Sequence, residues 1–281
     1  MRKERIRETD FQNKDKPKTR LQQFGYIFKT RFVELMKISL LQAVFNMPLI
    51  ASLVIFYVAV KSATELNALM TVFLVQGASF LISLPSVFAG MTGVFYCMKK
   101  IIYDEGEFAS SSFFIGLREE WKNGLFIGFL AGFSALIAVV GFFFSFYYLS
   151  QIDTIVTGFS IAILAIQLLV VLMVSYYSIG QVVFYSNQMR FVYKNSFIMT
   201  LIRFPFNLLF FITYPGIFIA LICIMDITMY VGVGLLVFFS ALGHLIWALN
   251  NVSAFDKFIN KEQHPDFYRK GLANINTSEE V

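Results

Sequence analysis

Six apolar runs, none containing an Asp, Glu, Lys or Arg, constrain this 281-residue chain more than any other feature. They cover approximately residues 38–60, 69–98, 124–149, 157–186, 204–225 and 230–249. Crossing a hydrocarbon core about 30 Å thick takes about twenty helical residues, and each run is long enough. Inside such a core backbone N–H and C=O groups must bond within their own segment, so runs of this kind predict helices. A hydrophobic share of 57%, with 34 Phe, lies outside the range of soluble domains. The expected fold class is therefore all-α: a polytopic membrane protein of six transmembrane helices arranged as three hairpins.

The charges set the orientation. Nearly all Lys and Arg fall on the side of the two termini, in 1–37, 99–123, 187–203 and 250–281, while Lys61 stands alone on the other side. The bias of basic residues toward the cytoplasm then predicts cytoplasmic termini. The bilayer also explains the net charge of +5, and no nucleic acid is expected as a partner. Residues 1–23 read as a disordered basic tail, 24–251 as the transmembrane domain and 252–281 as a second cytoplasmic tail. From Phe24 to Lys37 apolar residues recur at helical spacing among Lys29, Arg31 and Lys37, the pattern of an amphipathic helix on the bilayer surface.

A weak internal repeat accompanies the hairpins. Aromatic–basic segments ending at Lys37, Lys122 and Arg203 precede the odd-numbered spans, and Pro48, Gly132 and Pro215 follow at similar depth. Gene duplication is one reading. The other is that any helical hairpin needs basic anchors and tolerates a proline in mid-span.

No cofactor site, metal-ligand cluster or phosphate loop is legible, and no enzyme is expected. Cys97 and Cys223, placed near opposite ends of the membrane, are not expected to pair. His244 is the one histidine in spans that hold no Asp, Glu, Lys or Arg; it reads as a comfortable neutral histidine, with a base for lipid chemistry as the weaker option. Asn46, Gln76, Gln167 and Gln181 are amides inside spans. They read as interhelical glue, or with His244 as a polar path for a hydroxylated solute. Gly124, Gly128 and Gly132 let a neighbouring backbone approach closely, which suits helix packing and allows an oligomer through the glycine-rich helix. Pro48, Pro85 and Pro215 each remove a backbone hydrogen bond and are expected to kink their helices. Between Asp104 and Lys122, Phe113, Leu117 and Trp121 recur at steps of four, as on a short cytoplasmic surface helix able to dock a partner such as an importer's ATPase.

Taken together, Phe32-Val33-Glu34-Leu35-Met36-Lys37 with Pro48, Leu84-Pro85 with Ala89-Gly90, Phe113-Phe114, Trp121-Lys122-Asn123, and Arg190 with Lys194-Asn195 resemble the YesL-like bacterial integral membrane proteins (domain of unknown function 624). The resemblance covers most of 24–251. It implies a membrane protein encoded beside sugar-importing or polysaccharide-degrading components, and it supplies no binding residues to carry over. The expectation is a non-catalytic accessory or scaffold for carbohydrate uptake; the alternative is a permease for a neutral solute such as a sugar or polyol.

Overall fold

The computed structural model describes residues 16–105, 109–185, 187–212 and 226–273. The long elements are α1 (Arg20–Ser62), α2 (Leu66–Ile102), α3 (Ala109–Tyr147), α4 (Thr154–Tyr185), α5 (Met189–Ile202), α6 (Phe204–Phe211) and α7 (Asp226–Phe255). A π-helical turn, Asp256–Asn260, and a 3-10 turn, Pro265–Phe267, follow α7. Five helices among the described residues are long and apolar enough to cross a membrane. The expected span 204–225 is represented by α6 alone; its remainder, with Pro215 and Cys223, lies outside the described residues.

The helices are longer than the apolar runs. At about 1.5 Å per residue, the 43 residues of α1 and the 39 of α3 far exceed a hydrocarbon core. The excess lies at the end of the bundle that carries the first and last described residues and most of the described basic residues, the basic end. Two segments expected to be separate surface helices are in fact the opening turns of these long helices. No glycine or proline interrupts α1 between Arg31 and Pro48, and Leu35, Ile38 and Ser39 are buried across the expected boundary, so nothing ends the helix there. Its one non-helical residue is Arg31, at φ −123° and ψ 20°. Arg203, which separates α5 from α6, adopts a similar conformation at φ −106° and ψ 19°, with Pro205 opening the next helix.

Pro48 and Pro85 sit inside helices whose backbone stays helical at both positions. In α1 the break falls at Arg31 instead. One turn before Pro48, the Phe45 carbonyl accepts the Ser86 hydroxyl of α2 at 3.0 Å. A neighbouring hydroxyl thus bonds a carbonyl of the turn that precedes the proline.

α2 is the centre of the bundle, packed against α1, α3, α4 and α7. Its second half, from Phe88 to Met98, is buried almost without interruption. α3 lies closest to it. Antiparallel steps of four bring Gly132 to Phe80, Gly128 to Leu84 and Pro85, and Gly124 to Phe88. A Cβ added to Gly128 would stand 2.7 Å from the Leu84 carbonyl oxygen, and one on Gly124 would stand 2.8 Å from that of Phe88. The expected close approach is present, but α2 occupies the glycine face, so that face is not available for the oligomer it suggested. Gly90 serves α1 in the same way, against Phe45 and Gln42.

The terminal segments are also part of the fold from Lys16 to Ala273, further than the expected boundaries at 23 and 252 allow. Thr19 caps α1 by accepting from the Gln22 amide at 3.2 Å. Arg20, in the first turn, pairs with Asp256 at 2.7 Å, both side chains nearly buried. The arginine also donates to Gln23 Oε1 at 2.7 Å and to the Lys270 carbonyl at 3.0 Å. Gln23 donates to the Ile102 carbonyl at 2.7 Å, tying α1 to the end of α2. The Ala273 amide donates to the Pro17 carbonyl at 3.0 Å, so the two ends of the described chain meet.

Candidate functional site: polar junctions and an apolar groove

The amides expected to line one path are distributed over different helix interfaces. Asn46 is buried on α1 and accepts from Gln42 Nε2 at 3.0 Å, and the same nitrogen donates to the Val87 carbonyl of α2 at 3.1 Å. Gln167 of α4 donates to Ser134 of α3 at 3.0 Å. Gln181 of α4 donates to Ser196 of α5 at 2.9 Å. Gln76 is buried on α2, and its Nε2 has no hydrogen-bond partner among the described residues. His244 of α7 is buried between Phe95 of α2 and Tyr176 of α4, with ring centroids 6.3 and 6.0 Å away. Among the described residues no three His, Cys, Asp or Glu side chains gather as metal ligands.

A denser polar junction, absent from the sequence reading, joins α4, α6 and α7. Tyr177 donates to Asn207 Oδ1 at 2.9 Å, and Asn250 Nδ2 reaches Tyr177 and the same Oδ1 at 3.2 and 3.1 Å. Asn207 in turn donates to the Thr200 carbonyl at 3.2 Å, and Arg203 donates to the Asn250 carbonyl at 3.0 Å. Beside it Trp247 stacks on Tyr176 at 4.6 Å. Two buried amides and one phenol on three helices bond one another here, with Asn250 Oδ1 left without a partner among the described residues, and the bonds fix the rotation of each helix in a way apolar packing does not.

At the basic end, Lys99 of α2 donates to the Val183 and Phe184 carbonyls at 3.1 Å each. An ammonium on the last carbonyls of α4 satisfies groups that a helix terminus leaves open and complements its dipole. Tyr103 stacks on Phe267 at 5.7 Å, and Lys270, paired with Glu105 at 2.7 Å, lies 5.1 Å from the Tyr103 ring centre. Burial, and secondarily the Asp256 carboxylate, pushes the Tyr103 phenol above its ordinary range.

The three residues expected on one docking face separate. Phe113 is wholly buried against Gly93 and Phe45, Leu117 is half-buried, and Trp121 is 43% exposed. Leu117 and Trp121 instead line an apolar groove of about 700 Å³ between α1, α2 and α3. Phe45, Pro85 and Ala89 lie on its α1 and α2 sides, and Arg118 on its α3 side. Other aromatic residues line the basic end: a ladder along α1 runs from the half-buried Phe24 to the exposed Phe28 and Phe32, and α5 presents Phe191, Ile198 and Leu201 while burying Val192, Ser196 and Met199.

No family model, curated protein or solved structure matches the chain.

Proposed function

We propose that the chain is a non-catalytic integral membrane protein, an accessory or scaffold component of a bacterial carbohydrate uptake system. It sits in the plasma membrane with six spans and both termini cytoplasmic. The observation that carries this reading is the division of labour among its side chains. Interior amides such as Gln167, Gln181, Asn207 and Asn250 bond across helix interfaces, whereas aromatic and basic groups of α5 and the opening of α3 stand outward on the terminal side. Phe191, Leu201 and Trp121, with Arg190 and Lys194 among them, are the exposed groups there. Such a surface suits a partner at the membrane boundary, where aromatic rings and cations are both favoured. The resemblance to YesL-like proteins supplies the connection to sugar uptake. Copurification from native membranes tests it: an importer subunit or its ATPase is expected at stoichiometric yield, and recovery of the chain free of any transporter component overturns the reading.

One observation favours the permease alternative: the buried Gln76 amide with no partner among the described residues. In that reading Gln76 and Asn46 contact a neutral solute. Proteoliposomes loaded with a panel of sugars and polyols decide it, because flux that falls in Gln76→Leu supports transport and impermeability to the whole panel removes it.

A further inference from the structure

We propose that the groove between α1, α2 and α3 is a binding site for an anionic phospholipid drawn from the bilayer, with an acyl chain along Pro85, Ala89 and Leu125 and the phosphate on Arg118. The inference goes beyond the scaffold reading and does not depend on it.

The groove arises from the packing. Gly124 and Gly128 draw α3 onto α2, and Gly90 draws α1 onto the same helix. Pro85 and Ala89 lie between these approaches and line the groove, with Phe45 on its α1 side. Its volume of about 700 Å³ is that of a small-molecule site, for which about 300–1,000 Å³ is usual. It extends into the apolar runs, since Ile82 and Leu125 line it, so its occupant is reached from within the hydrocarbon.

The other end of the groove carries charge. Arg118 is exposed, and among the described residues it has no ion pair or hydrogen bond. Lys122 lies one turn further along α3, its ammonium 5.8 Å from the centre of the Trp121 ring. Glu119 and Glu120 are neighbours in sequence but do not line the groove, and Glu120 accepts from Asn123 at 2.7 Å. An apolar slot ending at a free guanidinium, with an indole at the junction of the polar and apolar parts of α3, matches a lipid in both halves. Arginine binds phosphate oxygens through a planar fork, and tryptophan is favoured at the headgroup level. A free phosphate would leave the apolar slot unfilled, and an apolar helix would leave Arg118 unpaired.

The experiment is native mass spectrometry of the full chain released from nanodiscs of equal parts dioleoyl phosphatidylglycerol and dioleoyl phosphatidylcholine. The wild type is expected to retain one phosphatidylglycerol at least about tenfold over phosphatidylcholine. Arg118→Glu is expected to abolish the preference, and Ile82→Trp, which crowds the slot from a position 75% exposed and therefore tolerant, is expected to lower retention of both lipids about tenfold. Phe159→Ala, an exposed position on α4 away from the groove, is expected to change nothing. Equal retention of the two lipids by the wild type, or wild-type retention by a folded Ile82→Trp protein, overturns the proposal. So does a photoreactive group at Ile82 that captures a polypeptide in native membranes in place of lipid. Because the readout is lipid mass, absence of an importer subunit leaves this result unchanged.

Discussion

Leu84 and Gly128 are joined by a contact that no side chain at 128 could share: the Leu84 carbonyl oxygen lies 2.7 Å from where a Cβ would be. Backbone against backbone at this distance lets Cα–H groups approach carbonyl oxygens and maximises dispersion contact, which takes the place of hydrophobic burial between helices in lipid. Gly128→Ala is therefore expected to lose about 1–3 kcal/mol through overpacking. Gly25→Ala and Gly158→Ala, whose Cβ positions meet nothing within 4 Å, are expected to be neutral or slightly stabilising. Thermal unfolding in one detergent, compared across the three variants, checks the contrast.

The Arg20–Asp256 pair closes the bundle across 236 residues of chain. Both side chains are nearly buried, so removing one strands the other's charge at a cost of about 3–5 kcal/mol. Asp256→Ala is expected to expose the first turns of α1 to protease in folded protein. The Arg20→Ala/Asp256→Ala double variant is expected to be less destabilised than the sum of the single variants. Limited proteolysis followed by mass mapping of the released N-terminal fragments reads both effects.

Asn207 links three helices through one amide, donating on one side and accepting twice on the other. Asn207→Leu leaves Tyr177 and Asn250 with unmet hydrogen bonds and is expected to cost about 1–3 kcal/mol per orphaned group. Asn46→Leu, which removes a single acceptor, is expected to cost less. Urea or SDS titration of the purified variants ranks them.

Lys99 donates to two terminal carbonyls of α4. Lys99→Met keeps the stem and removes the ammonium, so α4 is expected to fray at its end. Amide hydrogen exchange checks this: protection around Val183 and Phe184 is expected to fall at least about tenfold, while exchange in the middle of α4 is unchanged.

Much of this architecture is legible in sequence, and the parts that are not share a cause. The α2–α3 seam could be read because Gly124, Gly128 and Gly132 repeat at the helical step, a local pattern with one structural use. Five of the long helices follow from uninterrupted apolarity. The docking face failed on geometry: a step of four advances about 400°, so eight residues from Phe113 to Trp121 turn about 80° around α3. That rotation separates a core residue from an exposed one, and only the position of α2 decides which is which. The terminal closure and the Tyr177–Asn207–Asn250 junction depend on pairing between distant segments. Asp256, the first acidic residue after the last apolar run, and Asn250-Asn251 at its end were the available signals, and neither names its partner. The groove was equally hidden, because its concavity comes from glycines on two helices, Gly124 and Gly128 of α3 against α2 and Gly90 of α2 against α1.

In the scaffold proposed above, the outward aromatic–basic face holds a partner protein. Photoreactive residues at Phe191 and Leu201, crosslinked in native membranes and read by mass spectrometry, test it most directly. The account predicts capture of a transport subunit or its ATPase at both positions and no capture from Phe113, which is buried. Capture of lipid alone at Phe191 and Leu201 would contradict it.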